Sequence, residues 1–136
     1  MFAILEEKNM LIFGHPWIKS ATFKKIFFLE ALEDIKDNQI ALLEPLSDSA
    51  KIAQYCQENE IEYAISISNI KEAILANALG CSYLIAQPED AIEIQPIAQE
   101  YLFDSKVVAL IENEKDIEKM ARHSIDGVVF NEAITA

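Results

Sequence analysis

Residues 81–130 read CSYLIAQPEDAIEIQPIAQEYLFDSKVVALIENEKDIEKMARHSIDGVVF, and the reading of this stretch decides the fold class. It holds three short apolar runs, Tyr83–Ala86, Lys106–Ile111 and Gly127–Phe130, separated by two segments of helical character. The runs are apolar at consecutive positions, as in strands buried on both faces. Pro88 suits the first turn of a helix reaching to about Tyr101. Pro96 lies inside that helix and predicts a kink or two shorter pieces. Glu114–His123 is the second helix.

The same alternation extends towards the N-terminus. Asn69 is placed to cap a helix over Ile70–Leu79, and Gly80 to end it with a left-handed residue. Glu62–Ile67 and Gln39–Leu43 read as strands, the latter broken at Pro45. Ser47 or Asp48 can cap a helix over Ala50–Asn59. Met10–Gly14 is a further buried strand, and Met1–Leu5 can add a small one beside it. Thr22–Lys36 reads as a helix, because Phe23, Ile26, Phe27, Leu29, Leu32 and Ile35 largely keep helical spacing.

Strand–helix units with short connections imply right-handed crossovers and a parallel sheet. The expectation is one α/β domain over residues 1–136: a doubly wound parallel sheet of about six strands in three layers, with helices on both faces. A closed eight-fold barrel is set aside, because such barrels run to about 250 residues.

Charge narrows the partners. The chain carries 11 basic and 23 acidic side chains, a formal net charge of −12. Residues 1–36 hold five of each sign, whereas 37–136 hold six basic and eighteen acidic. Nucleic acid and anionic membrane surfaces reward basic faces, so neither is expected as a partner. No apolar run approaches the roughly 18–20 residues that span a bilayer, and no secretory signal is read at the N-terminus. Cys56 and Cys81 lack a C-x-x-C spacing and read as small apolar residues in a reducing cytoplasm.

In a doubly wound sheet the ligand crevice lies beyond the C-terminal strand ends. That directs attention to Gly14-His15-Pro16, Glu44, Ser66 with Ser68 and Asn69, Gln87, and Glu112-Asn113. Glu44, ending the second strand, stands where an acceptor for ribose hydroxyls is usual; the other reading is an exposed strand-end carboxylate. The first loop, Gly14 to Lys19, lacks the glycines that let backbone amides approach a pyrophosphate. Two histidines, His15 and His123, form no i, i+4 pair, and no cluster of metal-ligand spacing is present. Neither a metal site nor a catalytic residue is assigned. Phe27 and Phe28 leave an apolar strip that reads as a dimer contact. The run Glu112, Glu114, Asp116 and Glu118 reads as a solvated face, or as a site for a divalent cation or basic partner.

Three segments carry a resemblance. Leu11–His15 (LIFGH) is similar to a strand-plus-loop of the I-x-G-x-G-x-x-G kind. Gln39–Glu62 resembles a second strand with a terminal acid and a short helix. In Cys81–Ala136, SYLIAQPEDAIEI is similar to A-D-x-V-I-x-A-T-x-D-D-x-x-N, and the stretch from Lys106 onward resembles a V-x-I-I-A-R ending with G-A-D-x-V-V. The chain thus resembles the N-terminal domain of the RCK/TrkA family, Rossmann-type regulators of potassium channels and potassium uptake systems. The likeness spans residues 10–136.

The departures matter for function. The family's second and third loop glycines fall at Pro16 and Lys19, its G-D-A-T becomes Ile65-Ser66-Ile67-Ser68, its helix-start asparagine falls at Glu93, and its arginine is replaced near Leu110 or Ile111. The resemblance implies a non-catalytic cytoplasmic regulatory domain at the inner face of the cell membrane, dimeric or higher, acting on a membrane potassium channel or transporter subunit. Either the chain is an excised domain or that subunit is separate. Gly14, His15, Glu44, Ser66 and Gln87 would line an altered or lost nucleotide site. Its cofactor is left open between NAD(H), an adenine nucleotide and none. The alternatives are a small nucleotide-binding protein or enzyme using the same crevice, and a pure protein-interaction module.

Overall fold

A computed structural model of the chain describes residues 9–136. The expected strand at Met1–Leu5 lies outside the described residues. In chain order the elements are β1 Leu11–Phe13, β2 Thr22–Ile26, a 3-10 segment Leu29–Asp34, β3 Gln39–Leu43, α1 Leu46–Glu58, β4 Tyr63–Ser66, α2 Ile70–Leu79, β5 Tyr83–Ala86, α3 Pro88–Glu100, β6 Lys106–Ile111, α4 Lys115–Arg122, β7 Gly127–Phe130, a 3-10 turn Asn131–Ala133 and β8 Ile134–Thr135. Among the described residues no helix is long and apolar enough to cross a membrane.

The α/β class and the parallel sheet are present, but the sheet has eight strands and not six. Their order is β1-β7-β6-β5-β4-β3-β2-β8, and every pairing is parallel. From β2 to β7 the order is sequential, with no reversal of the kind a doubly wound sheet requires. The sheet also curls. Strands β7 and β8 are six pairings apart, about 29 Å in a flat sheet at ~4.8 Å per pairing. Yet three residues join them, which limits Phe130 and Ile134 to about 14 Å. The two ends of the sheet are therefore drawn together, and its inner face closes on itself.

Packing follows from that curl. The inner face gathers Phe13, Phe23, Ile40, Leu42, Ala64, Ile85, Val108, Val129 and Ala133, with none from the four α-helices. The outer face packs Ala41, Leu43, Ile65, Leu84, Val107 and Ala109 against Ile52 and Cys56 of α1, Ala73 and Ala76 of α2, Ile94 of α3 and Met120 of α4. Helices thus cover one face, correcting the three-layer expectation. Consecutive apolar positions demanded two buried faces; one is buried by helices and the other by the sheet itself.

Two further readings are corrected. Thr22–Lys36 is not a helix: Thr22–Ile26 forms β2, with Phe23 inside and Ile26 outside, and Phe27 and Phe28 emerge exposed. Pro96 neither splits nor ends α3, which runs unbroken from Pro88 to Glu100. Helix α1 starts at Leu46, and no side chain caps its start. Helix α2 matches expectation at both ends: the Asn69 side chain accepts from Glu72 N–H, and Gly80 is left-handed at φ 96°.

Buried polar groups are satisfied in place. Gln95 of α3, 2% exposed, grips the turn before β7: its Nε2 donates to Asp126 Oδ2 at 3.2 Å and its Oε1 accepts from Asp126 N at 3.1 Å. Asp126 Oδ2 also accepts from Val107 N at 2.9 Å, tying that turn to β6.

Candidate functional site

Alternation along each strand determines what stands at the C-terminal ends. On β3, Ile40 and Leu42 face inward, so the next inward position is Glu44. On β2, Phe23 faces inward and Lys25 pairs in register with Leu42, which makes Lys25 the next inward residue. The same counting gives Ser66 after Ala64, Gln87 after Ile85, Glu112 beyond Leu110, and Asn131 after Val129; at the end of β1 the left-handed Gly14 breaks the alternation, and the His15 ring stands against Phe130 of the outer cluster. Six strands therefore end in inward polar residues above an apolar interior, with His15 at the end of a seventh.

Two paired groups stand at these ends. Lys25 Nζ lies 3.1 Å from Glu44 Oε1, with both side chains partly open to solvent. His15 is nearly buried, and its two ring nitrogens have different tasks. Trp17 N–H donates to Nδ1 at 3.1 Å, so Nδ1 carries no proton. The proton sits on Nε2, which contacts Glu114 Oε1 at 2.5 Å. Edge contacts with Trp17 and Phe130, at 5.2 and 5.8 Å, hold the imidazole in place. This pair links the loop after β1 to the loop after β6 across the top of β7.

Three cavities open at this end of the sheet, its mouth. One of about 410 Å3 is walled by Phe27, Glu44, Ser66, Ser68 and Glu72. Another, of about 520 Å3, is walled by Gly14, His15, Glu112, Glu114 and Glu132. The third, of about 430 Å3, contains Gln87, Glu112 and Asn131. Glu112 is common to the last two. Gly14, His15, Glu44, Ser66 and Gln87 are thus all at strand C-termini, distributed over three cavities and not collected in one. Glu93 is exposed on α3 and lines none of the three. Lys19 is exposed as well.

Gly14 closes the mouth's floor on one side. Its φ is +90°, and an added Cβ would stand 2.9 Å from Ala133 Cβ, because the turn from β7 to β8 crosses directly over it. The glycine serves this crossing.

The residues missed in the sequence are Lys25, Glu114 and Phe27 as members of a site. Lys25 was hidden by the helical reading of its strand. The usable signal was Phe23-Lys24-Lys25-Ile26, in which the two apolar residues bracket two lysines and can each serve one face of a strand. Glu114 was counted in a solvated acidic run, but it reaches His15; Glu118 of the same run pairs with Arg122 at 2.6 Å.

At the opposite end of the strands the polar groups are structural. Tyr63 Oη donates to Leu79 O at 2.7 Å, and burial raises its phenol above the usual range. Burial likewise pushes the Cys81 thiol up to about 11, partly offset by its contact with Ser105 Oγ. Cys56 is raised by burial too. No group of three or more His, Cys, Asp or Glu side chains among the described residues is arranged to hold a metal ion.

Comparison with known protein families finds no family model that matches this chain, and a search of curated proteins gives no match.

Proposed function

We propose that the chain is a binding protein for a small polar ligand, held at the mouth formed by the C-terminal strand ends. One observation carries this reading: on six strands the inward series passes from apolar to polar at this end, at Lys25, Glu44, Ser66, Gln87, Glu112 and Asn131. A sheet needs no such polar set for stability, since exposed strand ends are served as well by any loop residues. Parallel α/β sheets collect ligands there because loops converge and backbone groups are left unpaired. Among the charged groups on the walls of these three cavities carboxylates predominate, with Lys115 the one lysine. That balance opposes a polyphosphate. The test is a fragment screen read by amide chemical shifts on labelled protein. Binders are expected to perturb residues 44, 66, 87, 112 and 131 together; binders confined to the helical layer would overturn the reading.

A second reading is favoured by exposed apolar residues beside the mouth. Phe27 and Phe28 are 60% and 59% exposed, and Leu29 continues the strip. Such a strip suits a homodimer contact, and a dimer whose packing responds to a ligand would serve as the regulatory domain of a potassium channel or transporter that the sequence resembles. Sedimentation of the purified chain tests it: a monomer at high micromolar concentration removes this reading.

A further inference from the structure

We propose that the Lys25–Glu44 pair is a diol-recognising subsite, and that the ligand is a small sugar or cyclic polyol without phosphate. The proposal rests on the mouth being the ligand site and assigns the chemical class that this mouth takes. Lys25 offers N–H donors and Glu44 offers carboxylate lone pairs, 3.1 Å apart on adjacent parallel strands. A vicinal diol needs such a neighbour on each hydroxyl: one oxygen accepts from the ammonium while the other donates its O–H to the carboxylate. The ligand bridges the two without separating them, so the pair stays neutral overall.

Glu44 is on the wall of a cavity, with Lys25 reaching it from outside that wall, and the cavity supplies the rest. Ser66 and Ser68 are small hydroxyl residues on its wall. Glu72 already accepts from Ser68 N and Oγ, at 2.9 and 3.1 Å, which fixes that wall. Phe27 lines the same cavity and is 60% exposed, an unusual position for a phenylalanine unless its face meets something. The apolar C–H face of a sugar ring is such a partner. The volume of about 410 Å3 falls within the roughly 300–1,000 Å3 of small-molecule pockets. An anionic ligand would meet Glu44 and Glu72 with the nearby lysine already paired. A purely apolar ligand would strand the pair and both serines. A neutral polyol satisfies the whole set.

The experiment titrates labelled protein with D-ribose, D-glucose and myo-inositol at millimolar concentrations, with cyclohexanol, inorganic phosphate and spermidine as contrasts. At least one of the three polyols is expected to shift the amides of residues 25, 44, 66 and 68, with no response to cyclohexanol. Lys25→Met is expected to weaken that binding about tenfold or more, since the diol loses a charged hydrogen-bond donor. Ser68→Ala, a milder change, is expected to weaken it less while keeping the fold. If phosphate or spermidine shifts these amides and no polyol does, the mouth remains a ligand site and the diol assignment fails. If none of these probes, nor any fragment, touches the mouth, both readings fail together.

Discussion

The ring of Phe13 meets that of Tyr83 edge to face with centroids 5.5 Å apart, although β7 and β6 lie between their strands in the sheet. Phe23, from a strand near the other end of the sheet, completes the cluster at 5.0 Å from Phe13 and 5.8 Å from Tyr83. These three rings fill the interior that curling creates. They join parts of the sheet that would be far apart if it were flat.

Truncating the centre of that cluster should therefore be costly. Phe23 is fully buried, and Phe23→Ala is expected to lower stability by about 3–5 kcal/mol in urea denaturation. Phe23→Leu should cost clearly less. A loss below about 1 kcal/mol for the alanine variant would show that the rings do not brace the interior.

Gly14→Ala meets two obstacles, the positive φ and Ala133 Cβ at 2.9 Å. A loss of about 1–3 kcal/mol is expected. Adding Ala133→Gly should restore only the part due to crowding, because the left-handed backbone remains. Full rescue in the double variant would show that backbone conformation contributes nothing here.

The Cys81 thiol is 2% exposed and raised to about 11 by burial. Native protein at pH 8 is expected to resist iodoacetamide at Cys81, with modification no faster than opening of the fold. The sign of the pH effect follows from the proton count. The unfolded thiol ionises near its ordinary value while the folded one keeps its proton, so this group's contribution is full below about pH 8.5 and is lost as pH rises towards 11. A loss on the order of 3 kcal/mol over that window is expected, and Cys81→Ala should flatten it.

Nucleotides make a sharp contrast to polyols. NAD(H), ATP, ADP and AMP at millimolar concentration are expected to leave the melting temperature unchanged, because no helix follows β1 to present its N-terminus to a pyrophosphate and the charged groups on the cavity walls are mostly carboxylates. A micromolar binder would add about 2.7 kcal/mol at a hundredfold excess over Kd. Such a shift, abolished by Glu44→Ala, would restore the nucleotide-sensor reading.

Local structure was legible where one physical signal acted alone. Gln39–Leu43, Ile70–Leu79, Tyr83–Ala86, Lys106–Ile111 and Gly127–Phe130 occur residue for residue as read, since each is a compact apolar run or a capped helix. Phe23 and Ile26 misled because a three-residue spacing fits one helix face and also opposite faces of a strand. The global arrangement was hidden for a related reason. Ile40, Ala41, Leu42 and Leu43 announce that both faces of β3 are buried, but a second helical layer and a curled sheet bury them equally well. Length then favoured the open form, whereas the described residues reach eight strands through very short β1 and β8 and a β1–β2 link without a helix. Glu44 and Gln87 were found because strand ends are easy to locate; Lys25 was lost with its strand.

Ile134 and Thr135 lie beside Phe23 and Lys24, and Thr135 Oγ1 donates to Phe23 O at 3.3 Å across 112 positions of sequence. On the ribosome this order imposes a delay. Strand β2 emerges early, and its outer edge stays open until the partner strand has been translated, about 5–20 s later at ordinary elongation rates of roughly 5–20 residues per second. For that interval the nascent chain carries an unpaired strand edge and an uncovered aromatic surface, the features that chaperones bind. The contact that seals the inner face is thus supplied long after the strand it seals.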